Sequence, residues 1–254
     1  MRLTVLGCYG GIGGARRTTA LLLDEDILID AGSGVGELGL EQMAKVDHVF
    51  LTHAHLDHSG FVPLLADAVA FLRRDPLLVY ALPETIAALK TNMLNGKLWP
   101  DYTVLPSVEH PYIRFLPVVP GMPILLGNRR ITPLPVKHSV PGVGYSLDSG
   151  SGSFVYSGDT TDCAEFWAAL NGIGNLRYLM IETTLLNASG DAAAAYGHLS
   201  AGLLARGLAR LQRPVRLLIT HLEPGKEELV MAEVMAACGT FQPERLQQGQ
   251  KFVF

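Results

Sequence analysis

The run His53-Ala54-His55-Leu56-Asp57-His58 constrains this chain more than any other feature. With the chain's own content of His and Asp, an HxHxDH pattern arises by chance in about 4 of 10,000 such sequences, so the motif is specific. His53 and His55 alternate so that their imidazoles converge on one metal, while Asp57 and His58 turn toward a second. Borderline cations such as Zn2+ take this mixture of nitrogen and oxygen ligands. Four ligands do not fill two coordination spheres, so more must come from downstream. His138, Asp159 in Ser157-Gly158-Asp159-Thr160, and His221 each follow a strand-like run, at the carboxyl end where open α/β sheets place their chemistry.

The remaining pattern mixes short apolar runs with helical stretches bounded by Gly, Pro and Asp turn signals. Strands are expected at 2–6, 18–23, 27–30, 48–52, 77–81, 112–116, 131–136, 145–147, 154–156, 178–182, 215–220 and 251–254. Helices are expected at 37–44, 61–72, 83–93, 164–170, 201–211 and 227–237. No low-complexity linker divides them, so residues 1–254 read as one domain. The Pro-rich stretch 106–135 reads as extended loops and edge strands, because proline cannot serve a central ladder. A weak duplication is visible: Phe50-Leu51-Thr52-His53 resembles Leu218-Ile219-Thr220-His221, and the hairpin ending at Asp30-Ala31-Gly32 has a partner ending Ser157-Gly158-Asp159.

Composition excludes several classes. Only 17% of residues are charged and 48% are hydrophobic, which rules out disorder. The mean hydropathy of +0.25 raises the question of a membrane. No run of about 18 apolar residues exists, however, and no membrane partner is expected. The N-terminus lacks the pattern of a signal peptide, and Cys8, Cys163 and Cys238 are odd in number and far apart, so a cytoplasmic protein with reduced thiols is expected. A net charge of −4 is the wrong sign for tracking a long phosphate backbone, so nucleic acid is not the expected partner. Arg206, Arg210, Arg213 and Arg216 could form a basic ridge, although a solvated helix face is the plainer reading.

These residues resemble the metallo-β-lactamase superfamily along essentially the whole chain. The resemblance implies an α/β fold, the αββα sandwich, with two mixed sheets flanked by helices. It implies that His53, His55 and His138 hold one metal, that Asp57, His58 and His221 hold the other, and that Asp159 bridges them. The cofactors would be two divalent ions, Zn2+ first, with Mn2+ or Fe2+ as alternatives. Within the superfamily, Gly7 with Gly10-Gly11, Asp30-Ala31-Gly32-Ser33-Gly34, Leu82-Pro83-Glu84-Thr85, Asn95 with Trp99-Pro100-Asp101, Ile181-Glu182 and Tyr196-Gly197-His198-Leu199 are similar to the class II 3′,5′-cyclic-nucleotide phosphodiesterases. Ser59-Gly60-Phe61, after the metal motif, follows the generic superfamily instead.

The implied activity is hydrolysis of a small-molecule cyclic nucleotide to a nucleoside 5′-monophosphate. Asp57, His198 and Glu182 would take catalytic roles, with Glu182 orienting the His198 imidazole. Asn95, Trp99 and Tyr102 form a polar and aromatic set suited to a nucleobase, since every base has a π face. The loop Gly7–Gly14 lacks a following helix and reads as a turn lining the site rather than a phosphate cradle. Asp30 would brace loops beside the ligands. A tRNase Z-like RNA 3′-processing endonuclease, a thioester or lactone hydrolase and a non-catalytic metal scaffold are the competing readings, and a homodimer stays open.

Overall fold

The computed structural model describes residues 1–189 and 195–254. Its strands are β1 (Arg2–Gly7), β2 (Ala20–Leu23), β3 (Ile27–Ile29), β4 (His48–Phe50), β5 (Leu77–Ala81), β6 (Ile113–Pro117), β7 (Ile124–Leu126), β8 (Arg129–Pro135), β9 (Val143–Asp148), β10 (Ser153–Tyr156), β11 (Leu176–Glu182), β12 (Arg216–Thr220), β13 (Glu244–Arg245) and β14 (Lys251–Val253). They form two seven-stranded sheets, ordered β14-β1-β2-β3-β4-β5-β6 and β13-β12-β11-β10-β9-β8-β7. In each sheet a run of antiparallel strands gives way to parallel ones, at β3/β4 in the first and at β10/β11 in the second.

Side-chain alternation along the strands builds the layers. Leu21, Leu23, Ile27, Ile29 and Phe50 of the first sheet pack against Tyr145, Leu147, Phe154 and Tyr156 of the second, which makes the inter-sheet core. The intervening Leu22, Leu28 and Val49 face outward onto α3 (Val62–Val69) and α4 (Pro83–Asn92), which follow the short α1 (Leu40–Met43) and α2 (Leu56–Ser59). Val155, Leu179, Ile181, Leu217 and Ile219 face the opposite way, onto α5 (Ala164–Gly172), α6 (Ala201–Leu208) and α7 (Glu227–Cys238). The strands read as unbroken apolar runs because both faces are covered. The result is a helix–sheet–sheet–helix sandwich.

Four expectations need correction. The helix expected at 37–44 is a 3-10 turn at Ser33–Glu37 followed by α1, because Leu38 is extended and Gly39 caps the second piece. Strands β7 and β13 escape the sequence pattern because they are three and two residues long. The Pro-rich stretch includes an interior strand, β8, and its Pro133 and Pro135 fall beyond Ile131, the last residue that pairs with β7, so their missing N–H groups interrupt no ladder there. The hairpins β2-β3 and β9-β10 occupy equivalent places, but the two Thr-His ends do not: β4 is the first parallel strand after its hairpin, whereas β12 is the second. Among the described residues no helix is long and apolar enough to cross a membrane.

Candidate metal centre

All seven proposed ligands converge beyond the ends of strands from both sheets. His53 and the motif's next three ligands follow β4, the start of α2 turning Asp57 and His58 inward. His138 follows β8, Asp159 follows β10 and His221 follows β12. They form two clusters, one of His53, His55, His138 and Asp159 and one of Asp57, His58, His221 and Asp159, each with donor atoms within 4.8 Å of one another.

In the first cluster, His55 Nδ1 lies 3.1 Å from His53 Nε2 and 3.2 Å from His138 Nε2. Asp159 Oδ2 is 3.7 Å from the same nitrogen of His53 and 3.9 Å from that of His138. In the second, His58 Nε2 lies 3.2 Å from His221 Nε2, 3.3 Å from Asp57 Oδ2 and 3.4 Å from Asp159 Oδ1. Asp159 therefore turns one oxygen to each cluster.

The hydrogen bonds behind the rings decide what these close approaches mean. His58 Nδ1 donates to Asp30 Oδ2 at 2.7 Å and His138 Nδ1 donates to Gly197 O at 2.9 Å. His221 Nδ1 donates at 3.0 Å to Thr184 Oγ1, which donates to Glu182 Oε2 at 2.8 Å. His53 Nδ1 donates at 3.0 Å to Thr52 Oγ1, which donates to Asp30 Oδ2 at 2.9 Å. With the Nδ1 positions protonated, a neutral ring presents a bare Nε2 lone pair to its neighbours. Lone pairs facing each other at 3.2 Å repel unless a cation sits between them. About 3.4 Å is also the edge of a tetrahedron of donors around a Zn2+ bonded at about 2.1 Å. Asp159 Oδ1, buried and without a hydrogen-bond partner, adds an acceptor that a cation would satisfy. The donor set fits a pair of divalent metal ions.

Electrostatics agree for the carboxylates and for His53, whereas at His58 and His221 the surrounding carboxylates, Asp159 foremost, outweigh burial and raise both rings, so a metal entering there displaces protons. Burial alone would raise Asp159, but the imidazoles of His221, His58 and His53 hold its carboxyl well below the usual range. Burial likewise opposes Asp57, and the neighbouring imidazoles of His221 and His58 outweigh it and hold it ionised. Burial keeps the His53 ring well below its ordinary value, that is neutral, as a ligand must be. Asp30 and His221 both adopt positive φ, at 59° and 61°, a conformation that costs a non-glycine residue energy and marks positions fixed by their surroundings.

His198 lies beside both clusters and belongs to neither. Its ring centroid is 5.0 Å from that of His138 and 5.6 Å from that of His221. Its Nδ1 donates to Glu182 Oε1 at 2.8 Å, and Glu182 is fully buried and also accepts from Thr160 N. Burial pulls the His198 ring down, but the Glu182 carboxylate outweighs this and lifts it to about 9. The Gly-rich turn lines the centre as expected: Gly10 N bonds Leu222 O, and a side chain at Gly10 would meet His221 Nδ1 at 2.8 Å.

The structure does not bring Asn95, Trp99 and Tyr102 to the centre. Tyr102 N–H and C=O belong to the turn that bonds Ile113, at the start of β6, whereas the ligands follow the ends of the strands. Tyr102 is buried among the helix-side core and its hydroxyl donates to Asp67, while Trp99 packs against the same core. The Asn95 amide closes its own loop, donating to Thr91 O and accepting from Lys97 N and Leu98 N. Three of the four arginines of the basic ridge are engaged within the fold: Arg210 pairs with Asp162, Arg216 with Glu244, and Arg213 caps carbonyls of Asn171 and Ile173. Thr52, Thr184 and the Gly197 carbonyl are site groups that the residue pattern missed. The Thr52-His53 dyad was the available signal, but only as a repeat.

Comparison with known proteins agrees with this fold. The family model described as the beta-lactamase superfamily domain matches residues 25–222. The chain is 25% identical over 171 residues to a cGMP-dependent 3′,5′-cGMP phosphodiesterase A of Dictyostelium discoideum, covering 62% of this chain and 18% of that protein. It is 26% identical over 155 residues to a ribonuclease Z of Methanosarcina mazei, covering 58% of this chain and 48% of that one. The chain thus spans less than half the length of either curated relative. The crystal structure of unliganded yeast PDE1 superposes with a TM-score of 0.82 at 15% identity, covering 100% of this chain and 99% of that one, which is a likeness of fold.

Proposed function

The chain belongs to the metallo-β-lactamase superfamily, and from that premise we propose that it is a dinuclear metal-dependent phosphodiesterase that hydrolyses 3′,5′-cyclic nucleotides to nucleoside 5′-monophosphates. The observation that carries the reading is His198, an imidazole anchored on Glu182 beside two ligand clusters and outside both. Opening a cyclic phosphodiester expels a sugar alkoxide, a strong base that needs a proton as the P–O bond breaks. A thioester expels a thiolate, which has less need of one. Bound divalent ions, Zn2+ first and Mn2+ or Fe2+ as alternatives, supply Lewis acidity toward water and toward the phosphoryl oxygens. The protein's part is to hold the ligand rings in one tautomer, to keep Asp57 and Asp159 ionised, and to present the protonated His198 to the leaving oxygen.

A small substrate is favoured over a polymer because the net charge is −4 and Arg16, Arg17 and Lys226 are already paired with Glu227, Glu37 and Glu223. A long RNA requires several cations to displace counterions from its phosphates. The likeness to the Dictyostelium phosphodiesterase supports the same choice. The ribonuclease Z likeness supports the second reading, an RNA 3′-processing endonuclease, which uses the same centre. Zinc-loaded protein assayed on cyclic AMP, cyclic GMP, a tRNA precursor, a thioester and a lactone separates these readings. Turnover of the two cyclic nucleotides above the other three substrates is expected, and preferential cleavage of the tRNA precursor would replace the first reading by the second.

A further inference from the structure

We infer that Thr52 and Thr184 are positioning residues that each share one buried carboxylate between two imidazoles, and that Thr184 ties the Asp57/His58/His221 cluster to His198. The two relays have the same chemistry. Asp30 receives His58 Nδ1 directly and His53 through the Thr52 hydroxyl. Glu182 receives His198 Nδ1 directly and His221 through the Thr184 hydroxyl. All four relay groups are buried: Asp30 and Glu182 at 0%, Thr52 at 1% and Thr184 at 4% exposure. No water is needed to complete either chain of hydrogen bonds.

Each hydroxyl has one proton, and the carboxylate, which only accepts, takes it. The threonine oxygen is then an acceptor facing the ring, which pins the proton on Nδ1 and leaves Nε2 bare toward the cluster. Replacing the hydroxyl by a methyl group removes that acceptor. The ring is then free to carry its proton on Nε2, the position that a cation must occupy, and metal affinity falls. Loss of such an outer partner typically weakens metal binding by about 10- to 100-fold. The relays act on different clusters, since Thr52 serves His53 and Thr184 serves His221. Only the Thr184 relay ends on a ring outside both clusters.

This inference rests on the metal-binding part of the proposed function and not on its substrate, so a failed substrate panel leaves the following test intact. Zn2+ affinity of the full chain is measured by chelator competition in two backgrounds, His55→Ala, which cripples the first cluster, and Asp57→Ala, which cripples the second. Thr184→Val should weaken the remaining site about 10- to 100-fold in His55→Ala and change it less than about threefold in Asp57→Ala. Thr52→Val should do the reverse, and Thr52→Ser and Thr184→Ser should match their parents. Where a valine variant does not fold, alanine takes its place with the same expectations. The tie to His198 has its own readout in the metal-free protein: the His198 Nδ1–H proton resonance should move in Thr184→Val and stay in Thr52→Val. Equal losses in both backgrounds, serine variants that behave like valine, or an unmoved His198 resonance in Thr184→Val would overturn the inference.

Discussion

Asp30 and Glu182 sit at the ends of strands in opposite sheets, and comparing what each one holds explains how the centre divides its labour. Asp30 accepts from four donors: the backbone N–H and hydroxyl of Thr52, His58 Nδ1, and the Tyr156 hydroxyl, the last reaching across from the second sheet at 3.1 Å. Both imidazoles it controls are members of ligand clusters, one in each. Glu182 accepts from Thr160 N, the Thr184 hydroxyl and His198, so only one of its two imidazoles faces a cluster. The first carboxylate is wholly committed to building the metal sites. The second divides between building one of them and holding a ring outside both clusters. The two braces are not copies of one strand end, since Asp30 follows β3, beside the hairpin, and Glu182 ends β11. The same hydrogen-bond logic has been assembled twice from inequivalent positions.

The most damaging way to break the comparison is to remove the residue that both halves share. Asp159→Asn converts one bridging oxygen into an amide N–H donor that points at a cluster. Elemental analysis should show less than two metal equivalents after reloading, and turnover should fall by several orders of magnitude, about the scale on which single catalytic groups act in unison. Next come the braces themselves. Asp30→Asn should weaken both clusters and lower stability by about 3–5 kcal/mol, because it leaves buried donors without their charged acceptor. Glu182→Gln should spare the first cluster, and calorimetric Zn2+ titration should resolve one tight and one weakened step. Equal damage to both steps would mean that Glu182 is no more specialised than Asp30.

His198→Ala sharpens the comparison by removing only what Glu182 holds outside the clusters. General acid catalysis typically contributes about 10²- to 10⁴-fold. That factor should disappear on a cyclic nucleotide and largely survive on a nitrophenyl phosphodiester, whose leaving group departs unaided. Metal content should stay at two equivalents. If both substrates slow equally while one metal is lost, His198 belongs to the second cluster's support.

How much of this was readable beforehand follows from the range of each interaction. The grouping of the seven clustered side chains was legible because four lie within six residues and the other three end strands, both local signals. The layered fold was legible for the same reason, through runs such as Ile27–Ile29 and Leu77–Ala81 whose pattern is set by burial. The relays were not, because Thr184 and His221 meet across 37 positions and a threonine carries no pattern that announces such a partner. Even the visible Thr-His repeat misled: the Thr220 hydroxyl bonds Cys8 O, and it is Thr184 that serves His221. Composition alone also cannot tell which end of a strand an aromatic residue occupies.

That last ambiguity gives the smallest expected effect on catalysis and the clearest test of where substrate lies. Asn95, Trp99 and Tyr102 read from sequence as a base-binding set, yet Tyr102 joins the starting end of β6 and packs in the core between the first sheet and its helices, with the half-buried Trp99 against that core. Burial, reinforced by Asp67, pushes the Tyr102 phenol up to about 12, so it stays a neutral donor to that carboxylate at any pH of interest. Tyr102→Phe should then cost about 1 kcal/mol of stability for the lost hydrogen bond, with Asp67 left to find water. Trp99→Ala should cost up to about 3–5 kcal/mol as an aromatic side chain is cut from packed surroundings. Denaturant melts measure both losses. The KM for a cyclic nucleotide should change less than about twofold in either variant, whereas a stacking partner of the base would be worth about 1–3 kcal/mol in binding. A KM rise of that size for cyclic nucleotides, absent for an aryl phosphodiester without a base, would return Trp99 to the substrate site and place the base along the helix face of the first sheet rather than over the metal centre.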